Sequence, residues 1–389
     1  MANRDAIEKI APEITEIRRD IHAHPEIGMT ETRTSALVAD KLRAWGIETH
    51  TGIGKTGVVG VLRRGNGHGR IGLRADMDAL PIDEATGLPY ASRNAGVMHA
   101  CGHDGHTAML LGAAKYLAEN GGFSGTVHFI FQPAEEGLGG ASAMIADGLF
   151  EKFPCDAVFG MHNRPNLEVG RFSIRPGTQM AGGAFFDIAI TGRGSHGARP
   201  EAGIDPVVVA AQLVSSLQSI VARRVTPTDT AVLSVTKIAA GEAYNVIPET
   251  AVLRGTVRTM KRETMTLVET EMRRLAENIA AGFGARAELD FRFLFAPLVN
   301  NPAETEAVVA AAAKVAGAER VEANGPQTMA SEDFSFMLEK VPGAFINLGN
   351  GAGAEVHNHL YNFNDEAIPH GIALWASVVE EKLPKGTGE

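Results

Sequence analysis

Between residues 185 and 293 the hydrophobic pattern runs strand, helix, strand, strand, helix, strand. FFDIAITG (185–192) alternates apolar and polar residues, as a strand with one wet face does. DPVVVAAQLVSSLQSIVARR (205–224) has helical spacing. TAVLSVTKIAAG (230–241) and ETAVLRGTVR (249–258) are strand-like, a second helix covers 261–281, and AELDFRF (287–293) closes the set. This order is that of the ferredoxin-like unit. At about 110 residues it is large enough to be a domain of its own.

The sequence on either side has a different texture. Ile7, Ile10, Ile14, Ile17 and Ile21 mark an amphipathic helix over 5–22, and TRTSALVADKLRAWG (32–46) is a second helix closed by Gly46. GVVGVL (57–62), RIGLRAD (70–76), TVHFIF (126–131) and DAVFGMH (156–162) read as buried strands, with a helix over 106–120 between two of them. After residue 295 the pattern returns as a helix at 303–316, a strand at 344–349 and a final helix at 366–382. Strands alternating with helices predict layered α/β structure. The expected fold is therefore a layered αβα domain with a mixed sheet, residues 1–179 and 294–389, interrupted by an α+β ferredoxin-like domain of residues 180–293.

Composition narrows the partners. The chain carries 36 Lys and Arg against 46 Asp and Glu, a net charge of −10, with no basic run, which argues against nucleic acid or an anionic membrane. No run of 18 apolar residues suggests a membrane span. Cys101 and Cys155 are the only cysteines. They form no disulfide framework, and the N-terminus has no apolar signal core, so a cytoplasmic location is expected.

The chemistry gathers where the predicted strands end. RADMDALP (74–81) leaves its strand through Asp76 and Asp78, FIFQPAEEG (129–137) through Glu135 and Glu136, and FGMHN (159–163) through His162. In open α/β sheets the binding crevice lies outside such strand ends. HACGHDGH (99–106) adds Cys101 and His103, with Gly102 letting the backbone bend between them. Thiolate and imidazole suit a borderline-soft divalent cation, and neighbouring carboxylates can divide the roles of ligand and general base. Asp104 is positioned to cap a helix starting near Gly105. His22, His24, His99 and His106 read as packing or helix-end residues, and Cys155 as chemically silent. Two other patterns do not carry the chemistry they formally suggest. GIGKTG (52–57) opens a strand where a dinucleotide fingerprint must open a helix, so it reads as a turn. GRGSHG (192–197) has Arg193 where a serine-nucleophile elbow needs its first glycine.

A family resemblance rests on motifs spread along nearly the whole chain. RRDIHAHPEIG (18–28), RADMDALPI, HACGHDGH, QPAEEG (132–137), GMHN (160–163), GSHGARP (194–200), YNVIP (244–248), GTVR (255–258), SEDFSF (331–336) and VHNHLYNFNDEAI (356–368) occur in order. Together they resemble the metal-dependent aminoacylase and carboxypeptidase family. The nearest branch is that of hippurate hydrolases, N-acyl-amino-acid amidohydrolases and plant auxin-conjugate hydrolases. The cysteine of HACGHDGH is the mark of that branch, since the wider family usually has a bridging aspartate.

The resemblance implies that Cys101, His103, Glu136, His162 and His357 hold two divalent ions, zinc, manganese, cobalt or nickel. It implies that Glu135 is the general base and that Asp78 orients a ligand. The inserted domain is then a lid and dimerisation domain. From it His196 reaches the partner subunit's site to polarise the scissile carbonyl, and Asn245 and Arg258 hold the substrate's amide and carboxylate. The segment His357-Asn358-His359-Leu360-Tyr361 departs from the family pattern, because His359 stands where proline is usual, which leaves His359 as a rival ligand. The implied reaction is hydrolysis of a small N-acyl amino acid by a cytoplasmic homodimer. A dipeptidase or carboxypeptidase is the alternative within the family, and a thiol hydrolase using Cys101 as nucleophile is the alternative outside it.

Overall fold

A computed structural model describes residues 3–385. The chain divides into two compact units. One comprises the residues up to Gln179, Val299–Pro326 and those from Asp333 on; the other comprises Met180–Leu298 and Gln327–Glu332.

The first unit is built on an eight-stranded mixed sheet in the order Glu48–Ile53, Gly57–Arg64, Gly125–Gln132, Arg70–Asp76, Ala157–Pro165, Gly343–Gly351, Phe172–Ser173, Val321–Glu322. Its centre is parallel: Arg70–Asp76 runs with Gly125–Gln132 and Ala157–Pro165, and Gly343–Gly351 runs with Ala157–Pro165. The strands before Arg70 pair antiparallel. Side chains alternate across a strand. Thus Ile71, Leu73 and Ala75 enter the hydrophobic cluster that also holds Ile14, Ile21, Leu110, Leu117, Ile372 and Trp375 from three helices, Arg4–Ala23, His103–Asn120 and Ile368–Lys382. The register sets Asp76 opposite Gln132, and Gly160 opposite Arg74, so His162 emerges two residues on, level with Asp76. Asp76 and Gln132 thus end their strands level with His162, which lies within strand Ala157–Pro165.

GIGKTG is a turn, but a strand precedes it: Glu48–Ile53 pairs with Gly57–Arg64 to make a hairpin. Its period-2 signal is weak because both faces are largely polar and wet.

The second unit is α+β. Its sheet has the order Ala231–Ala240, Thr250–Thr259, Gly182–Thr191, Arg286–Phe295, with every pair antiparallel. Helices Pro206–Arg223 and Arg262–Gly282 cover it, giving the ferredoxin-like arrangement. Pro206–Arg223 is long and apolar enough to pass for a membrane span. Its stripe of Val209, Leu213, Leu217 and Ile220 instead lies in the core of this unit.

Candidate metal centre

Helix His103–Asn120 begins at His103, three residues before the sequence pattern suggests. Gly102 stands at its N-cap with φ 93°. A Cβ there would fall 2.4 Å from Asn163 Nδ2 and 2.6 Å from the Tyr361 hydroxyl, so only glycine fits. Asp104 does not cap the helix. It is buried in the first turn, 2.8 Å from His22 Nδ1 and 3.2 Å from Arg18 Nη1. Burial alone would raise its pKa, but His22 and Arg18 hold it well below the usual carboxylate range. This ion network tethers the first helix of the chain to the helix that carries His103.

The turn after strand Gly125–Gln132 delivers two carboxylates. Ala134, just beyond that strand, sits in the left-handed region at φ 53°, and Glu135 and Glu136 follow it. Asp78 holds this turn by accepting the amide hydrogens of Glu135 and Glu136, each at 3.0 Å. The Asp333 amide donates to Glu135 Oε1 at 3.3 Å, and Asp333 accepts from Arg74 and Gln132 beneath.

Of five possible ligand triads among the described residues, two contain Cys101. The donor atoms of Cys101, His103 and His162 lie within 4.8 Å of one another, and so do those of Cys101, Glu136 and His357. Cys101 belongs to both. Its Sγ is 3.4 Å from His162 Nε2, and His357 Nε2 is 3.2 Å from Glu136 Oε1. Glu135 joins His103 and Glu136 in a third cluster. His357 has φ 63°, and its amide donates to the Ala100 carbonyl, which fixes this loop beside Cys101. His359 belongs to no ligand cluster among the described residues; its carbonyl accepts the Ala85 amide.

The electrostatics demand positive charge. Burial and the nearby Glu136, Glu135 and Asp76 push the Cys101 thiol well above its ordinary pKa. Burial and the neighbouring His106 lower His162. At His103 burial opposes the charged form, but Asp76, Asp78 and Glu136 outweigh it and raise the pKa to about 10. His103 Nε2 is buried with no hydrogen-bond partner, 3.9 Å from Glu136 Oε1. An unsatisfied buried group of this kind is costly, and it sits within the thiol–imidazole–carboxylate cluster. A thiolate, three imidazoles and a carboxylate fit divalent cations.

Several residues inside the quoted motifs support the site although the sequence reading gave them no role in it. His106 is 2.6 Å from Asp76 through Nδ1 and takes the Asn163 amide on Nε2. Asn163 Nδ2 donates to the Cys101 carbonyl, and the Tyr361 hydroxyl donates to Asn163 Oδ1. Their partners come from remote segments, so no local spacing signals them.

In the second unit, His196 and Asn245 meet on a short antiparallel bridge. His196 pairs with Val246, and the Gly197 amide donates to the Asn245 carbonyl at 2.7 Å. Both residues are exposed. Arg258 is half-buried on strand Thr250–Thr259 opposite Gly183, where a Cβ would fall 2.7 Å from its Nη1.

The sequence matches peptidase family M20/M25/M40 over residues 72–381. The chain belongs to this family. Its relatives include the hippurate hydrolase of Campylobacter jejuni, 44% identical over 95% of this chain and 97% of that protein. The N-acetylcysteine deacetylase of Bacillus subtilis is 41% identical over 90% and 92%. Among solved structures, a dinuclear metal-binding peptidase of the M20 family from Bacillus subtilis superposes with a TM-score of 0.83 at 36% identity. That match covers 96% of this chain and 98% of that one. This M20/M25/M40 member thus shares its architecture with a dinuclear metal-binding peptidase.

Proposed function

We propose that the chain is a two-metal amidohydrolase that cleaves N-acyl amino acids to a carboxylic acid and a free amino acid. The observation that carries this reading is the pair of triads sharing Cys101, with Glu135 beside both. Cys101, His103 and His162 would hold one ion, and Cys101, Glu136 and His357 would hold the other. Two relatives named for N-acyl amino acids, alike over nine-tenths of the chain, support the substrate class.

Bound there, the ions supply Lewis acidity toward the scissile carbonyl and acidify water. Glu135 takes the proton of the attacking water and returns it to the departing amine. Asp78 holds Glu135 in register with the ligands through its backbone. His196 supplies a hydrogen bond to the developing oxyanion, and Asn245 and Arg258 hold the substrate's amide and carboxylate. Cys101 is a poor nucleophile in this setting, since burial among carboxylates disfavours its thiolate unless a cation is present.

His196 acts across a homodimer formed by the second unit. Strand Ala231–Ala240 lies at a sheet edge with Val232 and Ile238 exposed, and Val207 and Val208 are exposed on the neighbouring helix. An apolar open edge of this kind invites pairing with a second copy. Both cysteines are unpaired, in keeping with a cytoplasmic enzyme.

The test is amine release from N-acyl amino acids and dipeptides, by chelated protein and by aliquots reloaded with zinc, manganese, cobalt or nickel. Cleavage of N-acyl amino acids only after reloading is the expected result. Preference for dipeptides would favour the peptidase alternative, and cleavage without metal would make Cys101 the nucleophile.

A further inference from the structure

Glu31 is fully buried, although it is a carboxylate and stands at the N-cap of helix Thr32–Ala44. Its side chain makes no capping bond to its own helix. Oε1 instead accepts the Ala134 amide hydrogen at 2.8 Å, and Oε2 accepts the Thr56 hydroxyl at 2.6 Å. Burying a carboxylate is costly unless its oxygens are paired, and the partner chosen here is more than a hundred residues away. That partner is the left-handed residue of the turn that delivers Glu135 and Glu136. Alanine adopts such a conformation only when its surroundings hold it.

Three consecutive amides are held in the same way. Ala134 N–H goes to Glu31, and the amides of Glu135 and Glu136 go to Asp78. The segment before Glu31 is pressed against this turn as well. A Cβ on Gly28 would fall 2.9 Å from the Ala134 Cα and Cβ. At the far side, a Cβ on Gly140 would fall 1.6 Å from the Pro133 carbonyl oxygen. The turn is packed closely at both ends, and the Glu31 side chain binds its left-handed residue directly.

We propose that Glu31 is a positioning residue for hydrolysis: by holding the Ala134 amide, it sets the direction in which Glu135 meets the attacking water. The inference rests on Glu135 being the general base. Glu31 touches neither substrate nor ion and acts through the backbone alone, so an oxygen acceptor is required and the charge is not. Glutamine meets that requirement. Its amide oxygen accepts from Ala134, and its NH2 donates to Thr56, whose hydroxyl can accept. Leucine keeps the volume and leaves the Ala134 amide without an acceptor.

The experiment compares Glu31→Leu, Glu31→Gln and Glu135→Gln on the metal-reloaded full chain. It reads kcat, KM, bound metal and thermal midpoint with benzoylglycine as substrate. Misplacement of a catalytic group by about 1 Å costs about 10²-fold. Glu31→Leu should therefore lose about 10²-fold in kcat with KM and metal content unchanged, and Glu31→Gln should recover to within about threefold of the parent. A folded, metal-replete Glu31→Leu enzyme with parental kcat overturns the proposal. So does an unrescued Glu31→Gln, or a loss explained by a lower midpoint with parental kcat per folded, loaded site. If Glu135→Gln is itself active, the base assignment fails and this inference falls with it. If Glu135→Gln is inactive and Glu31→Leu is active, only this inference fails. Should Glu31→Leu not fold, Thr56→Val loosens Oε2 instead. A fall in kcat at constant KM then supports the role, and unchanged kcat overturns it.

Discussion

Asp78 Oδ1 lies 3.2 Å from His103 Nδ1 while the same carboxylate accepts the amides of Glu135 and Glu136. One side chain thus ties the orientation of an imidazole to the turn carrying two carboxylates. Partners behind a ligating histidine set its tautomer and ring direction. Asn at position 78 has a single oxygen and must turn an NH2 toward one of these donors. Asp78→Asn should weaken divalent-metal binding about 10–100-fold. Calorimetric titration of the metal-free variant measures this, and parental affinity would refute the coupling.

Metal uptake should release protons. In the ion-free site, burial among carboxylates keeps the Cys101 thiol protonated at neutral pH. His103 is raised to about 10 by Asp76, Asp78 and Glu136 despite its burial, and so is charged. Ligation needs a thiolate and a neutral imidazole. At least two protons should leave per chain on loading at neutral pH, and Glu136 raises His357 as well. Titration in buffers of different ionisation enthalpy counts them. A heat independent of buffer would mean that both groups are already deprotonated.

Gly105 lies in the first turns of the helix that carries His103, and a Cβ there would fall 2.3 Å from the Phe363 ring. Alanine normally strengthens a helix by about 0.5–1 kcal/mol over glycine, whereas overpacking a filled core costs about 1–3 kcal/mol. The clash wins, so Gly105→Ala should destabilise the chain by about 1–2 kcal/mol. Denaturant unfolding decides the sign, and a more stable variant would show that Phe363 moves freely.

His22 gives a pH-dependent contribution. Burial alone would lower its pKa, but Asp104 and Glu84 raise it to about 9. Because the folded value lies above the ordinary 6.5, the stabilisation is fully present below pH 6.5. It fades as pH rises through 9, and its ceiling is roughly 3 kcal/mol. The stability gap between the parent and His22→Gln should shrink between pH 6 and pH 10. A gap that stays constant would mean that His22 is neutral in the folded chain.

The amino-acid sequence by itself determined the element types and the ferredoxin-like order, because both follow from local periodicity. It also marked Asp76, Glu135 and Glu136 as groups at or just beyond strand ends, whereas His162, read as the end of its strand, lies three residues inside Ala157–Pro165, which runs on beside Gly343–Gly351. The hairpin strand Glu48–Ile53 escaped this reading, because a strand wet on both faces leaves no alternation. The start of the helix at His103 escaped it as well. That boundary depends on the space left at Gly102 by Asn163 and Tyr361, which come from segments far along the chain.

Only the tertiary structure decided how the donors group. The parallel register brings His162 level with Asp76, the left-handed Ala134 leads into Glu135 and Glu136, and the Ala100 carbonyl holds the backbone of His357 while His359 joins no cluster. Glu31 and Asp104 show the same limit most plainly. Asp104 reads as a helix cap in sequence and Glu31 carries no signal there, yet each binds partners remote along the chain. A buried charge is satisfied by whatever donors the fold brings within hydrogen-bond reach, and sequence spacing carries no trace of contacts made across that distance.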